Sequence, residues 1–83
     1  MPLLSKIKAR EMGIPKKSLQ TIEIPKAFTL KDSREWLKSK GYLWQNHRNT
    51  PNFRRFIQVN PIEDARYYSK KLPNEVILVF QEY

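Results

Sequence analysis

The amino-acid sequence predicts an α+β fold in which one main helix packs on a small, mostly antiparallel sheet of four to five strands. Three observations indicate this class: one long amphipathic segment lies between helix caps, short segments of alternating apolar residues follow it, and turn residues separate them. The chain has 83 residues, a length that supports one domain with one hydrophobic core. Residues 1–18 are predicted to form a basic N-terminal arm with a short helix, and residues 19–83 the α+β domain.

The N-terminal arm begins with a short predicted helix. Ser5 is a favourable N-cap, and Gly13 stands where a helix-ending glycine is expected. A helix of this length is not stable in isolation. It is therefore expected either to pack on the sheet through Leu4, Ile7 and Met12 or to remain part of a mobile basic arm.

The first strand and the main helix follow the arm. Residues 19–24 alternate apolar and polar side chains, which predicts a short strand. The main helix is predicted over residues 29–40, because Thr29 and Asp32 resemble a capping box at its start and Gly41 occupies the position of a C-terminal cap. One broad face of this helix is expected to pack on the sheet, and its members are Leu30, Ser33, Trp36 and Leu37.

The rest of the chain is predicted to be a series of strands. Their expected ranges are 42–47, 53–59, 66–72 and 75–83. Pro73 and Asn74 form a tight turn, so the last two strands are expected to pair as a hairpin. The last strand has apolar residues on both sides, which is typical of a central strand covered on both faces. The N-terminal arm or a second copy of the protein is expected to provide the second cover.

Charge is the property from which the predicted function follows. Sixteen Lys and Arg against eight Asp and Glu give a formal net charge of +8. The excess belongs to residues 1–60, since residues 61–83 contain more acidic than basic side chains. Such an uneven positive field is typical of nucleic-acid-binding proteins, although anionic lipid or an acidic protein surface would be attracted by the same field. We therefore expect a polyanionic partner, with nucleic acid preferred.

Residues 53–58 carry the most suggestive local pattern for nucleic-acid binding. With period two, Arg54, Phe56 and Gln58 share one strand face, where a cation, a ring and an amide would form a stacking platform for single-stranded bases. Arg55 lies on the opposite face and is expected to point toward the core. The alternative is that Phe56 packs in the core of a sheet covered on both sides. The full set of predicted nucleic-acid-binding residues is Lys6, Lys8, Arg10, Lys16, Lys17, Lys31, Arg34, Lys38, Arg48, Arg54, Phe56 and Gln58.

No arrangement of residues indicates catalysis. The chain has one histidine, His47, and no cysteine, so zinc and thiol chemistry lack their ligands. Glu63 and Asp64 are an adjacent acidic pair of the kind that a metal-dependent nuclease uses, but such pairs are more often solvated loop residues. We therefore expect a binding protein without cofactor or resident metal, not an enzyme, with the nuclease as a remote alternative.

The sequence also bears on location. The longest apolar run, residues 76–80, is far shorter than the ~20 residues that cross a bilayer. The N-terminus has two leucines where a signal peptide would need a longer apolar core. Together with the absence of cysteine, this predicts an intracellular protein with no membrane partner.

A family resemblance covers residues 28–80. It is carried by the pattern WL-x3-GY at residues 36–42, by FRRFIQ at residues 53–58 and by KKLPN at residues 70–74. These segments resemble a short domain encoded by tailed phages and giant DNA viruses, in which a glycine commonly follows the turn asparagine, where this chain has Glu75. The resemblance implies a viral setting, in the host cytoplasm or nucleus or in the virion, and supplies no catalytic residues. The alternative function is therefore a viral structural or interaction subunit that docks on an acidic partner.

Overall fold

The described part of the chain, residues 3–83, forms two helices and five strands. A computed structural model describes residues 3–83. The elements are α1 (Lys6–Glu11), β1 (Lys17–Pro25), α2 (Leu30–Lys40), β2 (His47–Asn49), β3 (Phe53–Ile57), β4 (Arg66–Lys71) and β5 (Ile77–Glu82). The strands form one antiparallel sheet in the order β2-β3-β1-β5-β4. The predicted α+β fold with one main helix and a short N-terminal helix is confirmed.

The main helix α2 begins and ends at its predicted caps. The Asp32 backbone N–H donates to Thr29 Oγ1 at 3.0 Å, which satisfies one of the free amides of the first turn. Gly41 adopts the left-handed conformation with φ 77°, which glycine takes without steric cost. Ser33 and Leu37 are buried, so the predicted inner face of the helix packs on the sheet.

The hydrophobic core lies between α2 and one face of the sheet, here called the helix face. On this face Phe56 of β3 stands opposite Ile22 of the central strand β1, and Ile22 stands opposite Leu78 of β5. These three side chains form one buried cluster with Ile24 and with Leu37 of α2. The fold therefore depends on apolar packing across the three inner strands of the sheet.

The C-terminal hairpin forms as predicted. Strands β4 and β5 pair from Arg66 opposite Glu82 to Lys71 opposite Ile77. At the turn, Glu75 has φ 73°, so it occupies the left-handed conformation that a glycine would adopt without strain. The last strand is an interior strand of the sheet, as the apolar residues on both of its sides indicated.

The predicted strand at residues 42–47 is wrong, because the structure has only the three-residue strand β2, His47–Asn49, in this region. The backbone N–H and C=O of Leu43 bind the side chain of Gln58 instead of a neighbouring strand. The side chain of Gln58 thus supplies the two hydrogen bonds that a neighbouring strand would supply. The other predicted strands are confirmed, with ends that differ by one or two residues.

The face of the sheet opposite α2, here called the open face, is only partly covered. The segment before α1 lies beside residues 60–62, since the Leu4 N–H donates to the Pro61 carbonyl at 2.9 Å. Helix α1 contacts the domain through Ala9, which is buried. Of the three residues through which packing was one of the two expected alternatives, Leu4 is half-buried and bridges to Ile62, whereas Ile7 and Met12 are 68% and 51% exposed and do not pack.

Candidate nucleic-acid interface

The predicted stacking platform on β3 does not form. Phe56 is 0% exposed, because the strand face that carries Arg54, Phe56 and Gln58 is the helix face. Arg54 Nη1 donates to the Phe28 carbonyl at 2.6 Å. The Gln58 amide accepts from the Leu43 N–H and donates to the Leu43 carbonyl, both at 2.8 Å. The core interpretation of Phe56 is therefore correct, and all three side chains serve the structure.

Arg55, which was expected to point toward the core, lies on the open face. It stands directly opposite Arg48 of β2 and, on its other side, opposite Glu23 of β1. Within residues 3–83, no carboxylate lies within 4.0 Å of either arginine. The Nε atom of Arg55 is buried and has no hydrogen-bond partner there. The sheet thus holds two adjacent cations that form no ion pair within 4.0 Å, an arrangement that is unfavourable on its own.

Both arginines line an open groove of about 550 Å³ on the open face. Apolar side chains of the sheet, Ile57 and Val79, form part of the same surface, and Tyr67 of β4 contributes its ring. The ring of Tyr67 is held in place, since its hydroxyl donates to the Ile62 carbonyl at 3.0 Å and accepts from the Ile62 N–H at 3.1 Å. The groove therefore offers positive charge, apolar surface and a fixed, exposed ring.

A second depression extends the groove past the edge strand β2. It shares Arg48 and Ile57 with the first and adds Gln45, Asn46 and His47. The lining at this end is polar, and the ring of His47 packs against Phe56 with centroids 5.4 Å apart. His47 is therefore a packed strand residue beside this polar depression.

The predicted basic residues of α2 surround a tryptophan. Lys38 Nζ lies 4.1 Å from the centroid of the Trp44 ring, and Arg34 Cζ lies 5.9 Å from it. Both positions are within cation–π range. Lys31 is exposed, so its charge is free to meet an anion, while the charges of Lys38 and Arg34 also hold Trp44 and the loop that carries it.

The basic residues of the arm are exposed, although the arm itself is tied to the domain. The Tyr83 N–H donates to the Lys16 carbonyl at 2.9 Å, and the Tyr83 hydroxyl donates to the Ile14 carbonyl. Lys17 lies 3.7 Å from Glu82, an exposed ion pair that contributes little. The exposed bases of α1 are Lys6, Lys8 and Arg10.

Strand β4 carries a basic and aromatic pattern that no sequence prediction pointed to. Arg66, Tyr68 and Lys70 alternate on the helix face of this edge strand, and all three are exposed. Tyr68 stacks on Phe80, with centroids 5.4 Å apart and an interplanar angle of 16°. The signal was present in the sequence as the alternation of a ring with two cations, but the region has an acidic balance and the strand was interpreted only as half of a hairpin.

Two negative findings apply to the described part of the chain. In residues 3–83, no group of three His, Asp or Glu side chains is arranged to hold a metal ion. Glu63 and Asp64 are both exposed in the loop before β4. Neither of the helices described, α1 and α2, has both the length and the apolar character needed to cross a membrane.

Comparison with known proteins gives no match: no protein-family model, curated protein or solved structure is similar to this chain. The resemblance to a viral domain stays a prediction. The function must therefore be argued from the geometry and charge of the described residues.

Proposed function

We propose that this protein is a nucleic-acid-binding accessory protein that acts through its basic surface and is not an enzyme. The observation that carries the proposal is the lack of internal partners for its positive charge. The formal net charge is +8, and within residues 3–83 only Lys17 and Lys71 reach a carboxylate. The remaining cations are left to attract the phosphates of a polyanion from solution.

An exposed ring next to these cations favours nucleic acid over a simple polyanion. Tyr67 on the open face is exposed, and a ring of this kind stacks with unpaired bases while neighbouring cations bind the backbone. The ring of Tyr68 on the helix face is instead stacked on Phe80. Single strands are favoured over duplexes. A duplex reader usually presents a helix to the major groove, whereas the exposed face of α2 mixes Lys31 with Asp32 and Glu35.

Docking on an acidic protein partner, in the viral setting that the family resemblance implies, is the second candidate. It is favoured by the exposed apolar side chains of Ile7 and Met12 at α1, which lie among basic residues. An acidic partner with an apolar pocket would match this combination. In this case the protein would act as a structural or interaction subunit.

The proposal is tested by fluorescence-anisotropy titration of the full chain with labelled single- and double-stranded oligonucleotides of equal length. We expect binding at low salt that weakens steeply as salt is raised, with a log–log slope of about −0.7 per phosphate neutralised for single strands and about −0.9 for duplexes. Single strands are expected to bind more tightly.

Two results would contradict the proposal. Absence of binding at low salt would favour the acidic protein partner. Cleavage of the oligonucleotide that requires Mg²⁺, and that is lost in Glu63→Ala and Asp64→Ala variants, would identify a nuclease instead.

A further inference from the structure

We propose that Arg48 and Arg55 form a phosphate-binding pair in the groove of the open face, and that this groove binds the backbone of single-stranded nucleic acid with a base against Tyr67. The inference rests on the proposed function and assigns its contact site. It differs from the pattern that the sequence suggested, because it places the site on the other face of the sheet.

The positive charges of Arg48 and Arg55 are not balanced by an ion pair. Arg48 and Arg55 are directly opposite each other on neighbouring strands, where side chains of like charge destabilise a sheet. Glu23 is opposite Arg55 in the register but is not within ion-pair distance of it. An anion bound between the two guanidinium groups would convert the repulsion into two attractive contacts.

The guanidinium of Arg55 also has an unsatisfied hydrogen-bond donor. The Nε atom of Arg55 is buried and has no hydrogen-bond partner in residues 3–83, although buried donors in folded proteins are nearly always paired. A guanidinium has five N–H donors in a planar fork, and phosphate oxygens accept two of them in parallel. A phosphodiester group in the groove would therefore bind the guanidinium groups of Arg55 and Arg48 together, and it would reach the Nε atom of Arg55 after a rotation of that side chain, because the Nε atom has no accessible surface as it stands.

The groove is too long and too apolar for a free phosphate ion. It reaches from Tyr67 on β4 to Arg48 on β2, which are opposite edges of the sheet. At about 4.8 Å between strands, this is roughly 19 Å. Ile57 and Val79 lie along it. A ligand that carries phosphates and planar rings at intervals has the matching chemistry, and single-stranded nucleic acid is such a ligand.

The site is tested by anisotropy titration of labelled oligothymidylate against Arg48→Gln, Arg55→Gln and the matched control Arg66→Gln. All three variants lose one positive charge, but Arg66 lies on the helix face of β4, away from the groove. We expect a loss of affinity of about tenfold or more for each groove variant and at most about threefold for the control. Each groove variant should also reduce the salt slope by about one phosphate contact.

Adjacent tyrosines provide a second matched pair. Tyr67→Leu removes the ring in the groove, whereas Tyr68→Leu removes a ring of the same type from the other face of the same strand. Only Tyr67→Leu is expected to weaken binding. Melting temperatures of all variants show whether each is folded. If a variant unfolds, the site is located on the wild-type protein instead. On titration with the oligonucleotide, its backbone amide shifts should move at Arg48, Arg55 and Val79.

The outcomes separate this inference from the proposed function. If the wild-type protein binds no oligonucleotide, the proposed function fails. If the wild type binds, but the groove variants and the Arg66→Gln control lose the same affinity, the function stands and the phosphate-binding pair is wrong. Amide shifts confined to α2 or to the helix face of β4 would overturn the site in the same way.

Discussion

Replacement of Gln58 by alanine is expected to lower the free energy of unfolding by about 1–3 kcal/mol, since each net hydrogen bond contributes about 0.5–1.5 kcal/mol. The side chain of Gln58 makes two such bonds with the backbone of Leu43, both at 2.8 Å. A domain of this size has roughly 4–12 kcal/mol of stability in total. The two bonds therefore represent a substantial part of what holds the loop between α2 and β2.

Thermal unfolding followed by circular dichroism measures the effect. For a domain of this length, 1 kcal/mol corresponds to about 4–8 °C, so the melting temperature should fall on the order of 10 °C. Trp44 is the residue after Leu43 and packs under Lys38, so its fluorescence should report release of the loop at lower temperature. A second variant is Gln58→Glu, whose carboxylate still accepts from the Leu43 N–H but places an oxygen against the Leu43 carbonyl, so it should lose at least as much stability as Gln58→Ala.

The reasoning would be refuted by an unchanged melting temperature in Gln58→Ala. If that variant kept its stability and lost affinity for oligonucleotides, the side chain of Gln58 would be contacting the ligand, as the alternation of residues 53–58 first suggested. The two readouts distinguish a residue that positions the loop from one that reads a base.

Two further predictions concern the turn and the arm. Glu75→Gly should be more stable than Glu75→Ala by about 1 kcal/mol, because φ is 73° at this position. Both variants lose the same exposed ion pair with Lys71, so equal melting temperatures would contradict this. Ala9→Asp should release α1, since it places a charge at a fully buried position. Trypsin should then cleave within residues 6–11 faster than in the wild type, and an unchanged cleavage rate would show that Ala9 is not the contact.

The helix α2 and the β4–β5 hairpin could be predicted from the sequence because their signals are local. Thr29 binds an amide three residues away, and Gly41 supplies the backbone conformation that ends the helix. Pro73 and Asn74 mark the turn, where Asn74 Oδ1 accepts from the Val76 N–H at 3.2 Å. In each case the residues that decide the structure lie within a few positions of one another, so a pattern in the chain is sufficient.

The loop before β2 and the docking of α1 could not be predicted in the same way. The partner of Leu43 is Gln58, fifteen residues further along the chain, and nothing near Leu43 indicates it. At α1, apolar periodicity favoured the large side chains of Ile7 and Met12, whereas the contact is made by Ala9. Which side of a short helix is buried depends on the shape of the surface that covers it, and a single sequence does not show that surface.

The assignment of faces on β3 shows how a correct pattern led to a wrong surface. Period two correctly separated Arg54 from Arg55, but the set with Arg55 contains more apolar residues and was therefore assigned to the core. The structure turns the other set toward α2 and buries Phe56, which is large enough to fill the space between Ile22 and α2, while Arg54 finds a carbonyl acceptor beside the helix.

This inversion has a consequence for function. Ile57 and Val79, apolar side chains that line the groove with Arg55, are left half-buried on a face with partial cover, next to the unpaired charge of Arg48. A sheet face evolved only for solvent would carry polar side chains there, and one evolved only for packing would not hold two opposed arginines. Places where local rules fail in a stable fold are where functional sites are expected. The larger number of apolar side chains on the Arg55 side of β3 therefore did not identify the core. It supports the proposal that the open face binds a ligand that is both anionic and apolar.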